Sequence, residues 1–118
     1  MDLGWSEVGL NVRDIKKSLD FYSKLGFRIV DGDVENRAVT IQCGDCRIAL
    51  YQGYIAENFI NFRGGDCFGV AEHLKKQGVA LDVEPRIWEN GSTGGPKIRD
   101  PDGNQIYFCH YPAEVRKV

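Results

Sequence analysis

The chain has 118 residues, 42% hydrophobic and 27% charged, enough apolar material for one small core and too little length for a second domain. Fifteen Lys and Arg stand against seventeen Asp and Glu, a formal charge of −2 with both signs interspersed, which argues against nucleic acid as a partner. The opening Met1-Asp2-Leu3-Gly4-Trp5 is acidic and poor in apolar residues, and no later run approaches membrane-spanning length, so a soluble cytoplasmic protein without membrane association is expected.

In chain order, the first signal is a strand at 7–12. A short amphipathic helix follows, capped by Asp14, with Ile15, Leu19 and Tyr22 on one face and Gly26 as its stop. Strands at 27–31, 37–43 and 46–51 come next, the last two joined by a Gly44-Asp45 hairpin turn. Residues 53–57 connect to a fifth strand at 58–62. A second helix is capped by Asp66, places Cys67, Val70, Ala71 and Leu74 at helical spacing and stops at Gly78. Strands at 79–85, 97–99 and 105–111 complete the chain, the last two joined by Pro101-Asp102-Gly103-Asn104, and 89–95 reads as a polar, Gly-rich loop. The order β-α-β-β-β is therefore written twice, over about 5–52 and about 58–111. Two units are too few for a solenoid, so an α+β domain of two pseudo-symmetric halves is expected.

Four cysteines in a chain with its own core do not make a disulfide framework, and free thiols are expected. Cys43-Gly44-Asp45-Cys46 has the spacing of zinc and redox pairs, but it lacks the second pair of a zinc ribbon and suits a two-residue hairpin better. Alternation along the strands separates two faces. Val8, Leu10, Val12, Ile48, Leu50, Ile60, Phe62, Ile106 and Phe108 form an apolar set expected to pack under the helices. The other face mixes aromatic and polar side chains, the usual lining of a small-molecule site.

Leu10-Asn11-Val12-Arg13-Asp14, then Ser18-Leu19-Asp20-Phe21-Tyr22 and Leu25-Gly26-Phe27, resemble the opening of vicinal-oxygen-chelate domains, the superfamily of glyoxalases, extradiol dioxygenases and bleomycin-resistance proteins. Asp100-Pro101-Asp102-Gly103-Asn104 followed by Ile106 resembles the hairpin that closes them. The resemblance implies two βαβββ modules in a curled, open mixed sheet with a concave cavity and helices outside, often completed by a second identical chain. In metal-using relatives, four inward side chains on the first, fourth, fifth and eighth strands hold one divalent ion. Aligned strand by strand, those positions are Glu7, Ala49, Phe59 and Tyr107. One carboxylate, a methyl group and two rings cannot supply the three or four N, O or S donors such an ion needs. Neither a metal nor another cofactor is therefore expected, which counts against glyoxalase I, extradiol dioxygenase and metal-dependent fosfomycin-modifying activities. His73 lies in the second helix and His110 has helix-facing parity, and both are read as packing or partly exposed residues.

The resemblance is nearest in character to the metal-free bleomycin-resistance proteins, which sequester a flat cationic drug in grooves between two subunits. Trp5, Glu7, Asn11, Arg47, Tyr51, Phe59, Asn61, Trp88, Gln105 and Tyr107 are the candidate ligand-binding residues. The rings offer area at little entropic cost, and Glu7, the only acidic member, favours a flat aromatic cation. A small-molecule-binding homodimer, sequestering a drug or toxin, is the leading reading. The alternative is a metal-independent lyase or isomerase with Glu7 as general base, which requires a second titratable group opposite Glu7; Arg47 has the parity for it. An interaction or regulatory module without a small ligand is the third, and it predicts a filled cavity and an exposed apolar patch elsewhere.

Overall fold

The computed structural model describes residues Met1–His110; Tyr111, the last residue of the strand expected at 105–111, lies outside the described residues. The elements are β1 (Gly4–Asn11), α1 (Ile15–Ser23), β2 (Arg28–Asp33), β3 (Ala38–Cys43) and β4 (Cys46–Tyr51), then β5 (Phe59–Gly64), α2 (Cys67–Lys76), β6 (Arg86–Ile87), β7 (Thr93–Arg99) and β8 (Gln105–His110). The architecture is α+β, and β-α-β-β-β occurs twice. By contact the chain divides into an N-terminal unit, Glu7–Asn58, and a C-terminal unit formed by Met1–Ser6 with the chain from Phe59 on.

In the N-terminal unit the strand order is β2-β3-β4-β1, with β1 parallel to β4 and the other pairs antiparallel. Asp14 caps α1 by accepting from the Lys16 and Lys17 amides, two donors that the first helical turn leaves without carbonyl partners. The helix lays Ile15, Leu19 and Tyr22 onto Val39, Ile41, Ile48 and Leu50, with Leu10, Val12 and Phe27 around them. Each fully buried aliphatic side chain contributes about 1.5–3 kcal/mol relative to exposure, so this cluster holds the helix on the sheet. Val8 does not join it and is 40% exposed. The parity expected for it is right, but α1 starts just beyond the C-terminal end of β1 and covers that end only.

The C-terminal unit repeats the order as β6-β7-β8-β5, with β5 parallel to β8. Asp66 caps α2 through the Gly69 amide. Cys67, Val70 and Leu74 of the helix meet Phe62, Ile98, Ile106 and Phe108, joined by Leu3, Val79 and Leu81. Ile60 stays outside the cluster at 40% exposure, for the same reason as Val8: the helix covers the end of the strand that leads into it.

Two expected boundaries are corrected here. Residues 79–85 are not a strand. Val79 and Leu81 turn inward onto the α2 cluster, and the segment's backbone pairs with β7 at Lys97, where the Asp82 amide bonds the Lys97 carbonyl at 2.7 Å and Val83 bridges Lys97. Pro85 has no N–H to extend that ladder, and pairing resumes at Arg86. The loop expected at 89–95 is shorter, because Thr93, Gly94 and Gly95 already belong to β7. A register shift between Gly94 and Lys97 absorbs Gly95 at φ +94 and Pro96, which makes this stretch a bulge within a strand. Among the described residues, no helix is long and apolar enough to cross a membrane.

Candidate functional site

In the N-terminal unit the face turned away from α1 carries Arg47 of β4 opposite Gln42 of β3. Arg47 Nε donates to Glu7 Oε2 at 3.1 Å, and the two side chains are 10% and 1% exposed. Arg47 thus turns inward and meets the carboxylate that parity placed on its face. Gln42, which alternation along β3 sets opposite Val39 and Ile41, is a buried polar residue the sequence reading passed over; its Nε2 donates to the Gly44 carbonyl at 2.8 Å. Its pairing with Arg47 across the hairpin was the available signal. Tyr51 packs edge-on against Tyr54, ring centroids 6.4 Å apart, and Tyr54 donates its hydroxyl to the Asn36 carbonyl. Asn11 is exposed at the end of β1, and its backbone amide donates to Asn58 Oδ1 at 2.8 Å.

In the C-terminal unit the corresponding face is built on β5 and β8, where Phe59 pairs with Gln105 and Asn61 with Tyr107. Phe59 and Tyr107 meet edge to face at 5.0 Å, a preferred arrangement of two quadrupoles. Tyr107 donates its hydroxyl to Gln105 Oε1 at 3.2 Å, and Cys109 Sγ donates to Asn61 Oδ1 at 3.4 Å. Both amides are buried, so these bonds fix the orientation of the wall. The Trp5 ring lies on Gly64, where φ is +93 and a Cβ would collide with the indole. Its Nε1 is buried and has no hydrogen-bond partner among the described residues. Trp88 covers Gly94 in the same way, with a Cβ there falling 3.1 Å from the ring. Two cations on this face were not among the expected residues: Lys97 Nζ stands 5.5 Å from the Tyr107 centroid, and Arg86 Cζ 4.7 Å above the Trp88 ring.

The residues at the four positions that the resemblance aligned with a metal site do not fit a divalent ion. In the N-terminal unit they offer Glu7, engaged by Arg47, and the methyl group of Ala49. In the C-terminal unit they offer two rings packed on one another, with the Tyr107 hydroxyl donating to an amide. Among the described residues no group of three His, Cys, Asp or Glu is placed to hold a metal ion.

The four cysteines are free thiols. Cys43 and Cys46 are register partners flanking the Gly44-Asp45 turn, the hairpin expected of that spacing. Burial pushes the Cys67 thiol above its ordinary pKa inside the α2 core. In the turn before β8, hydrogen bonds from the side chain and backbone of Asn104 hold the Asp100 carboxyl below its ordinary value.

The family model for the Glyoxalase/Bleomycin resistance protein/Dioxygenase superfamily matches residues 4–108. No curated protein matches the chain in sequence. A superfamily member from Vibrio splendidus 12B01 superposes with a TM-score of 0.68 at 16% identity, covering 89% of this chain and 97% of that one. Methylmalonyl-CoA epimerase from Mycobacterium tuberculosis gives 0.65 at 19% identity, over 92% of this chain and 87% of the enzyme. The Mn(II)-bound glyoxalase from Novosphingobium aromaticivorans gives 0.64 at 22% identity, over 92% of this chain but 38% of that protein. At such identities these likenesses speak for the fold alone. The match of the family model over nearly the whole chain, with the twofold βαβββ order beneath it, shows that the chain belongs to the Glyoxalase/Bleomycin resistance protein/Dioxygenase superfamily.

Proposed function

We propose that the protein binds a flat aromatic small molecule without a metal ion and sequesters it rather than turning it over. The observation that carries this reading is the pair Phe59–Tyr107. At two positions that the resemblance aligns with metal ligands of its relatives, this chain has two rings in edge-to-face contact, backed by the buried amides of Asn61 and Gln105. Such a wall offers apolar area with a few fixed polar groups, the composition of small-molecule sites. Dissolved drugs or toxins with planar rings are the matching ligand class.

The Glu7–Arg47 contact bears on both finer expectations. A carboxylate held by a guanidinium at 3.1 Å has little net charge left to attract a cation, so the preference for a positively charged ligand loses its support. Arg47 is also the second ionisable group that the lyase or isomerase alternative requires. Yet a general base must come within about 3 Å of the proton it removes, and a carboxylate 1% exposed beneath its partner is poorly placed to do so. We further propose that the protein works as a homodimer, which the exposed apolar side chains of α1 and β2 favour.

Thermal-shift screening against planar aromatic compounds, with elemental analysis of the purified protein, tests the reading. Hits that raise the melting temperature according to RT ln(1 + [L]/Kd), in protein free of stoichiometric metal and indifferent to a chelator, are the expected result. One tightly held divalent ion per chain, or turnover of a hit, overturns it.

A further inference from the structure

We propose that the sheet face of the C-terminal unit bearing Lys97, Arg86, Trp88 and Tyr107 selects ligands that join an anionic group, such as a carboxylate, to a planar ring. The inference deepens the reading above and rests on it. Strand register puts the four side chains on one face. Lys97 is the partner of Tyr107, Gly94 of Cys109, and Arg86 of Gly94. Tyr107 and Cys109 are two residues apart on β8 and so point the same way, opposite to Ile106 and Phe108, which pack under α2. Trp88 joins this face by lying on Gly94, a position that stays open to the ring because it has no Cβ.

The charge on this face is what distinguishes it. Two other cations of the same unit have carboxylate partners: Arg99 meets Asp82 at 3.3 Å, and Lys75 meets Glu84. Those contacts engage the acidic side chains of the segment leading into β6. Lys97 and Arg86 instead rest on aromatic rings, and neither has a carboxylate partner among the described residues. A cation on a ring keeps its other side available to an anion, while the ring orients it. Trp88, 38% exposed, and the half-buried Tyr107 supply flat surface beside those cations. A ligand with a ring to stack and a carboxylate to pair matches both features together, whereas a cationic ring meets like charge.

Binding of 2-naphthoate, neutral 2-naphthamide and cationic 2-naphthylmethylamine, followed by Trp fluorescence and calorimetry, tests the proposal on the intact protein. The naphthoate is expected to bind roughly 10-fold or more tighter than the amide, as for one charged hydrogen bond, and the amine most weakly. The variants Lys97→Met and Arg86→Met should each weaken the naphthoate more than the amide, so that the ratio of the two affinities falls towards one, with melting temperatures showing that both fold. Equal affinities for all three probes, or preference for the amine, overturn the anion proposal while leaving the aromatic-binding reading standing. Failure of every probe to bind overturns both. An anion preference that persists in the Lys97→Met and Arg86→Met double variant assigns it to other residues and overturns this site.

Discussion

The Glu7–Arg47 contact is where a single substitution in the N-terminal unit should be felt most. Removing one partner of a buried ion pair strands the other charge, so Arg47→Met should lower the unfolding free energy by about 3–5 kcal/mol. Replacing both partners by apolar groups removes the stranded charge, and the double variant Glu7→Leu with Arg47→Met should be more stable than Arg47→Met alone. Urea denaturation of the set checks this; a double variant weaker than the single one would mean that Glu7 is held mainly by other contacts. Parity along two strands was enough to place both residues on one face. That they touch depends on the parallel register of β1 and β4, Val8 beside Ile48, which neither strand's own sequence encodes. The cations of the other unit were harder to see. Lys97 follows a bulge at which Gly94 and Lys97 change register, so alternation counted through Gly95 and Pro96 loses its phase there.

At the scale of elements, the signals that proved legible are those with a local chemical cause. Asp14 and Asp66 satisfy the helix amides that nothing else in the first turn can, and both helices begin where those residues stand. Residues 79–85 misled because Val79, Leu81 and Val83 alternate as a strand does, while a strand also needs a ladder partner, and Asp82 and Val83 find one only at Lys97. The turn between β7 and β8 carries its own pH signature. Asp100 accepts from the Asn104 amide at 2.8 Å, Asn104 Nδ2 at 2.9 Å and the Asp102 amide at 3.0 Å. Its folded pKa lies below its unfolded value, so its stabilisation is present above the ordinary carboxylate range and is lost as pH falls through the depressed value. Asp100→Asn should therefore melt below the parent at neutral pH, and the gap should close in acid. Melting temperatures of both proteins between neutral and strongly acidic pH check this, and a gap independent of pH would assign the turn's stability to something other than the ionised carboxylate.

For the molecule as a whole, the question is which surface a second copy would cover. Sheet edges are one kind of candidate, since an unpaired edge strand invites another chain. Both edge strands are blunted against that. In the N-terminal unit β2 carries Arg28, Asp31 and Asp33 and a register shift between Ile29 and Asp31, and in the C-terminal unit β6 is two residues long. The apolar surface beside β2 is different. Phe21 is 59% exposed, Leu25 61% and Ile29 48%, and Ile29 helps line a depression of about 240 Å³ with Leu19, Tyr22, Phe27 and Ile41. Large apolar side chains around a depression that Ser23 and Arg28 also line suit a self-complementary contact, in which a projecting residue of one copy enters the hollow of the other. We predict a dimer formed through this surface and dissociated by Ile29→Lys, which puts a charge where desolvation would be required. The replaced side chain is half exposed and lies outside the ring-bearing wall proposed for the C-terminal unit, so folding, and the binding proposed there, should persist. Light scattering at micromolar concentration decides it: a parent protein that is already monomeric, or an Ile29→Lys protein that stays dimeric, would remove this surface from consideration.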